Sequence, residues 1–106
     1  MLQGIIIRGT TPDHKFDIPY PQELVKDIRV TYGQRGASLF TKTLKECTLA
    51  DEELSVPLTQ EDTFKLVTNR PVHIEIRILF TDGNVVRTED PIRLRVIDTM
   101  DTEVMQ

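Results

Sequence analysis

The chain has 106 residues, with 13 basic and 17 acidic side chains and a formal net charge of −4. One domain of this size removes roughly two thirds of its unfolded surface from water, so a core can form without metal or disulfide support. Hydrophobic residues at 39% and charged residues at 28% exclude a disordered chain, and the lack of a Lys/Arg run argues against a nucleic-acid partner.

Period-2 patterning then dominates from the first residues onward. Gly4 to Arg8 (GIIIR) is a β-branched run and reads as the first strand. The loop Arg8 to His14 (RGTTPDH) has the Thr, Pro and Asp of a tight, side-chain-bonded turn. Its functional alternative is a polar loop that meets a partner. Lys15 to Tyr20 (KFDIPY) alternates Phe16, Ile18 and Tyr20 against Asp17, and Pro19 and Pro21 confine it to an edge.

Leu24 to Tyr32 puts Ile28, Val30 and Tyr32 on one face, with Arg29 and Thr31 on the other. Gly33 to Gly36 is a turn, and Ala37 to Leu44 returns as the second arm of a hairpin, alternating Ser38, Phe40, Lys42 and Leu44. Cys47 to Leu49 is a short strand, followed by an acidic turn from Ala50 to Glu53. Leu54, Val56 and Leu58 alternate cleanly, and Pro57 points that strand to an edge or an early end. Thr59 with Asp62 three residues on is a capping box for one helical turn through Phe64 and Leu66.

The strongest strand is PVHIEIRILF, where Val72, Ile74, Ile76, Ile78 and Phe80 alternate over about 30 Å of extended chain. Asp82-Gly83 turns the chain back. Apolar parity is lost between Val85 and Ile92, which predicts a bulge or break near Pro91. Asp98 to Gln106 is acidic and unpatterned, a tail or a partner-ordered arm. These signals predict an all-β fold: an antiparallel, immunoglobulin-like β-sandwich of about seven strands with at most one short helical turn. The sandwich domain spans 1–97 and the acidic C-terminal tail 98–106.

Few residue groups are equipped for chemistry. His73, Glu75 and Arg77 share one face of a strand, but a metal needs further ligands, and the returning strand offers Arg93 and Arg95 to pair with Glu75 instead. That row reads as the wet side. Cys47 lacks a neighbouring base or helix start to make it a thiolate, and reads as a small core residue. Neither Cys47 nor the histidines, His14 and His73, form a recognisable nucleophile site. Asp51-Glu52-Glu53 and Glu89-Asp90 are adjacent acids of the kind that turns expose, without the facing geometry of a glycosidase or the spacing of a calcium loop. Gly33 and Gly36 precede no phosphate-binding Lys. Tyr20 and Tyr32 keep a carbohydrate-binding module open as an alternative. The opening MLQGIIIRG has neither the basic start nor the apolar length of a signal peptide, and no span is long enough to enter a membrane.

The segments RGTTPDHKFDIPY, IRVTYGQ, ECTL, VPLTQEDTFKL and VHIEIRILFTDGN together resemble a family of small phage- and prophage-encoded proteins of Firmicutes, found among virion structural genes. The likeness runs from about Arg8 to Val85. It implies a non-enzymatic structural or adaptor protein, tail- or baseplate-associated, made in the host cytoplasm and then carried in the virion. Its partners would be copies of itself or neighbouring virion proteins. No catalytic, cofactor-binding or metal-binding residue and no cofactor comes with it.

Overall fold

A computed structural model describes residues 4–88 and 90–106. The strands are β1 (Ile5–Ile7), β2 (Asp13–Asp17), β3 (Val25–Gln34), β4 (Ala37–Thr43), β5 (Thr48–Ala50), β6 (Glu53–Pro57), β7 (Val72–Phe80), β8 (Val85–Arg87) and β9 (Ile92–Ile97). Among the described residues a single α-helix, α1 (Gln60–Phe64), follows β6, and 3₁₀ turns occupy Gln22–Leu24 and Leu44–Glu46. The larger sheet has the order β1-β9-β7-β3-β4, with β8 also paired to β7; the smaller is β2-β6-β5. This two-layer, all-β arrangement is sandwich-like, as the strand patterning predicts.

Alternation along each strand builds the core. Val25, Ile28, Val30 and Tyr32 of β3 and Val72, Ile74, Ile76 and Ile78 of β7 face inward, against Ile18 and against Leu54, Val56 and Leu58 in and beyond β6. The two sheets bury these faces against each other, which no single half-apolar sheet could do in water. Leu66, just after α1, closes one end of the core. Helix α1 begins as the capping box requires: the Thr59 hydroxyl accepts from Asp62 N at 3.1 Å, and Asp62 accepts from Thr59 N at 2.9 Å.

Several details differ from the sequence expectation. β1 runs parallel to β9 rather than antiparallel to a neighbour. The described residues form nine strands rather than about seven, and the return from β7 divides in two near Pro91, as the lost parity predicts. Ile74 pairs with Ile92, where unbroken continuation from Arg77↔Arg87 would have given Asp90. Thr88 holds the break, donating N–H to Ile76 O at 3.0 Å and accepting from Ile76 N through its hydroxyl at 3.3 Å.

β6 is the middle strand of its sheet, not an edge; Pro57 instead marks its last residue, and the next cross-strand bond is given by Leu58 N–H to Pro12 O at 2.9 Å. Strand β2 starts at Asp13, so the connecting loop is shorter than Arg8 to His14. It is side-chain bonded as expected, the Thr10 hydroxyl donating to Ile7 O at 2.6 Å.

Two hairpin turns carry both residues at positive φ, the geometry that follows strand twist. Arg35 (φ 56°) and Gly36 (φ 78°) join β3 to β4, while Asp51 (φ 53°) and Glu52 (φ 62°) join β5 to β6. Gly33 lies inside β3 at a register shift, not in the turn, and a Cβ there would come within 2.6 Å of the Ala37 carbonyl oxygen. Residues 98–106 carry no strand or helix. They return to α1, where the Gln60 amide donates to Met105 O and accepts from Met105 N, both at 2.8 Å.

Candidate functional site

Reactive side chains gather in two places: inside the sandwich at the α1 end, and on the outer face of the larger sheet. In the interior, His14 of β2 points inward, its Nδ1 2.7 Å from the hydroxyl of the fully buried Tyr32. Among the described residues Tyr32 has no other hydrogen-bond partner, so its O–H donates to Nδ1 and the ring proton sits on Nε2. Burial holds His14 below the usual imidazole range, against a smaller upward pull from Asp13. Burial likewise drives the Tyr32 phenol strongly upward, reinforced by Cys47 and Asp62. The pair is therefore neutral at physiological pH. Phe40 stacks on Tyr32, with centroids 4.7 Å apart and planes within 14°.

Beside this stack lies a buried ion pair. Lys42 sits on the inward face of β4 and its Nζ reaches Asp62 Oδ2 at 2.6 Å, with side chains only 11% and 10% exposed. Burial alone would raise Asp62, but the Lys42 ammonium and the Thr59 amide outweigh it and hold the carboxyl below its ordinary value. Glu46 adds a second, longer contact to Lys42 at 3.8 Å. Cys47 is half-buried against the core, and burial, with Glu46, raises its thiol against a smaller pull from Lys42. It is a thiol, not a thiolate. Among the described residues Cys47 bonds to neither histidine, so no nucleophile–base pair forms.

The outer face of the larger sheet carries the expected wet row. His73 and Glu75 are half-buried and Arg77 is exposed, and with Thr31, Gly33 and Pro91 the first two line a depression of about 360 Å³. Glu75 finds its cation on β8, not β9: Arg87 lies 3.9 Å away, while Arg93 stands opposite His73 and Arg95 opposite Ile5. Arg29, Arg77 and Arg87 stand directly abreast on β3, β7 and β8. A second depression, of about 340 Å³, lies beside them, lined by Asp27, Arg29, Arg77, Leu79 and Val85.

The remaining sequence candidates scatter. His14 and His73 belong to different sheets and opposite sides of the sandwich. Tyr32 is fully buried, and Tyr20 is half-buried edge-on to Phe80, with centroids 4.9 Å apart. Neither offers a flat ring to a sugar. Asp51, Glu52 and Glu53 are exposed at the β5–β6 turn, and Glu89 of the Glu89-Asp90 pair lies outside the described residues. Among the described residues no group of three or more His, Cys, Asp or Glu side chains is placed to hold a metal ion. No helix of the described residues is long and apolar enough to cross a membrane.

The Lys42–Asp62 pair was not foreseen. Its one signal is that Lys42 shares parity with the inward Phe40, and an ammonium on a buried face requires an acid.

Comparison of the chain with family models, with curated proteins and with solved structures finds no match.

Proposed function

We propose that this chain is a non-enzymatic structural or adaptor domain of a phage or prophage particle, working in the tail or baseplate through contact with copies of itself or neighbouring virion proteins. The observation that carries this reading is how its polar chemistry is distributed. The interior groups are neutral or paired and closed off, whereas the charged groups are spread over broad sheet faces. Catalysis needs reactive groups converging on an accessible point, while docking needs area and complementary charge.

Edge strands support the same reading. β4 pairs only with β3 and carries Leu39 37% exposed, and β1 exposes Ile5 on the far side of the same sheet. Such edges and apolar side chains suit joints between subunits. The five quoted segments that resemble the phage family agree in direction.

The test is mass spectrometry of purified particles from a strain carrying the gene, together with affinity capture under gentle salt. Recovery of the chain in stoichiometric amount with virion proteins is the expected result. Its absence from particles, with no virion protein captured, would overturn the reading.

A further inference from the structure

We infer that copies of this chain stack head to tail, the arginine-rich face of the larger sheet of one copy seating on the acidic face of the smaller sheet of the next. The inference rests on the structural role proposed above and names the surfaces that would perform it.

The register brings the arginines together. Arg29 pairs with Arg77 and Arg77 with Arg87, so three guanidinium-bearing positions run side by side across β3, β7 and β8. Adjacent strands are about 4.8 Å apart, and like charges directly opposite one another repel. Within the isolated chain the row is poorly compensated. Arg87 has one long contact to Glu75, and Arg29 and Arg77 make no ion pair with a described residue. Asp27 lines the depression beside Arg29 and Arg77 but makes no ion pair with either, its Oδ1 accepting from Ile28 N at 2.8 Å and Leu44 N at 3.4 Å. Arg95 extends the same face onto β9. A row of exposed guanidinium groups, planar and weakly hydrated, is the surface that gains most from a facing set of carboxylates.

The chain itself presents such a set on its other side. Asp13 and Asp17 of β2 and Glu53 of β6 are exposed on the outer face of the smaller sheet, with Asp17 directly opposite Glu53. Asp51 and Glu52 extend it through the β5–β6 turn. The one cation on these strands, Lys15, lies 3.7 Å from Asp13 and 3.9 Å from Glu53, too long and too exposed to neutralise the face. A chain of net charge −4 thus has opposite signs on its two broad faces.

The shortest extent of the molecule is 19 Å, beyond the screening length of about 8 Å at physiological salt, so each face presents its own field. A second copy is therefore the occupant whose charge matches both faces at once. Contact between two different faces is heterologous, so it propagates into a ring or a filament rather than closing as a pair.

Sedimentation velocity on the full chain tests this directly. Assembly at about 50 mM salt that weakens at least about tenfold near 500 mM is expected for the unmodified protein. Two neutralised variants, R29Q/R77Q/R87Q and D13N/D17N/E53Q, should each be monomeric alone. Mixed, they should give a 1:1 dimer that grows no further, since only one intact pair of faces remains. All six changes are at exposed positions, and circular dichroism checks that both variants fold. A strictly monomeric unmodified chain at low salt, or assembly that persists in either variant, would overturn the stacking. A monomer still found in purified particles would overturn it while leaving the structural role in place.

Discussion

Asp62→Ala removes the carboxylate that holds Lys42 and caps α1, and its cost follows from what is left behind. Lys42 would keep an ammonium 11% exposed, with Glu46 at 3.8 Å, itself half exposed, as the nearest remaining carboxylate. Breaking a buried pair by deleting one partner costs about 3–5 kcal/mol, because the other charge stays desolvated. Loss of the Thr59 cap adds about 1 kcal/mol, and the residual Glu46 contact recovers a similar amount, so about 3–5 kcal/mol is expected.

Lys42→Met should cost less, about 1–2 kcal/mol, since Asp62 retains the Thr59 amide and the apolar stem is replaced. The two changes combined should cost less than their sum by about 1–2 kcal/mol. Urea denaturation followed by far-UV circular dichroism near neutral pH measures all three. Asp62 is held below its ordinary value of 3.8, so its contribution is present above that pH and is lost as pH falls through the folded value. Additive costs within about 0.5 kcal/mol, or an Asp62→Ala cost below about 1 kcal/mol, would refute the view that the pair is buried and coupled.

Three further outcomes follow from the same geometry. Ile76→Ala should cost about 2–5 kcal/mol, since Ile76 is 4% exposed between the sheets, whereas Glu75→Ala, one residue along on the wet face, should cost under about 1 by the same denaturation assay. Because the folded chain holds His14 below its ordinary 6.5, the stability it contributes is present above that pH and declines as pH falls through 6.5. Melting curves between about pH 7.5 and 5.5 should accordingly show a smaller fall for His14→Gln than for the unmodified protein. Glu52→Gly should raise stability by about 1 kcal/mol, because a side chain at φ 62° is strained and glycine is not; a lower melting temperature would speak against that strain.

How far the sequence announces this structure depends on the range of the signal. Strand β7 and the hairpin β3–β4 are legible because alternation is local and each has one wet and one dry face. The capping box of α1 is legible for the same reason: Thr59 and Asp62 sit three residues apart. What depends on neighbours across the fold is not. Parity places Arg29, Arg77 and Arg87 on wet faces but does not say that they stand abreast, because the order of strands decides it. Likewise Pro57 signals a strand's end, and only the position of β2 and β5 on either side makes β6 central. Tyr32 looks like a candidate platform in sequence, yet the His14 contact that buries its hydroxyl comes from the opposite layer.

The parallel seating of β1 on β9 has a consequence for how the molecule is made. Arg8 and Asp98, joined at 2.7 Å where these strands end, are 90 positions apart along the chain. During synthesis β1 must wait while the other described strands are laid down, since its partner is the last of them to emerge. Until then β1's hydrogen-bonding groups have no mate, and a β9 from a neighbouring chain fits them equally well. Crowded production of this protein would therefore favour strand exchange between copies, with the swapped piece being the three isoleucines Ile5–Ile7.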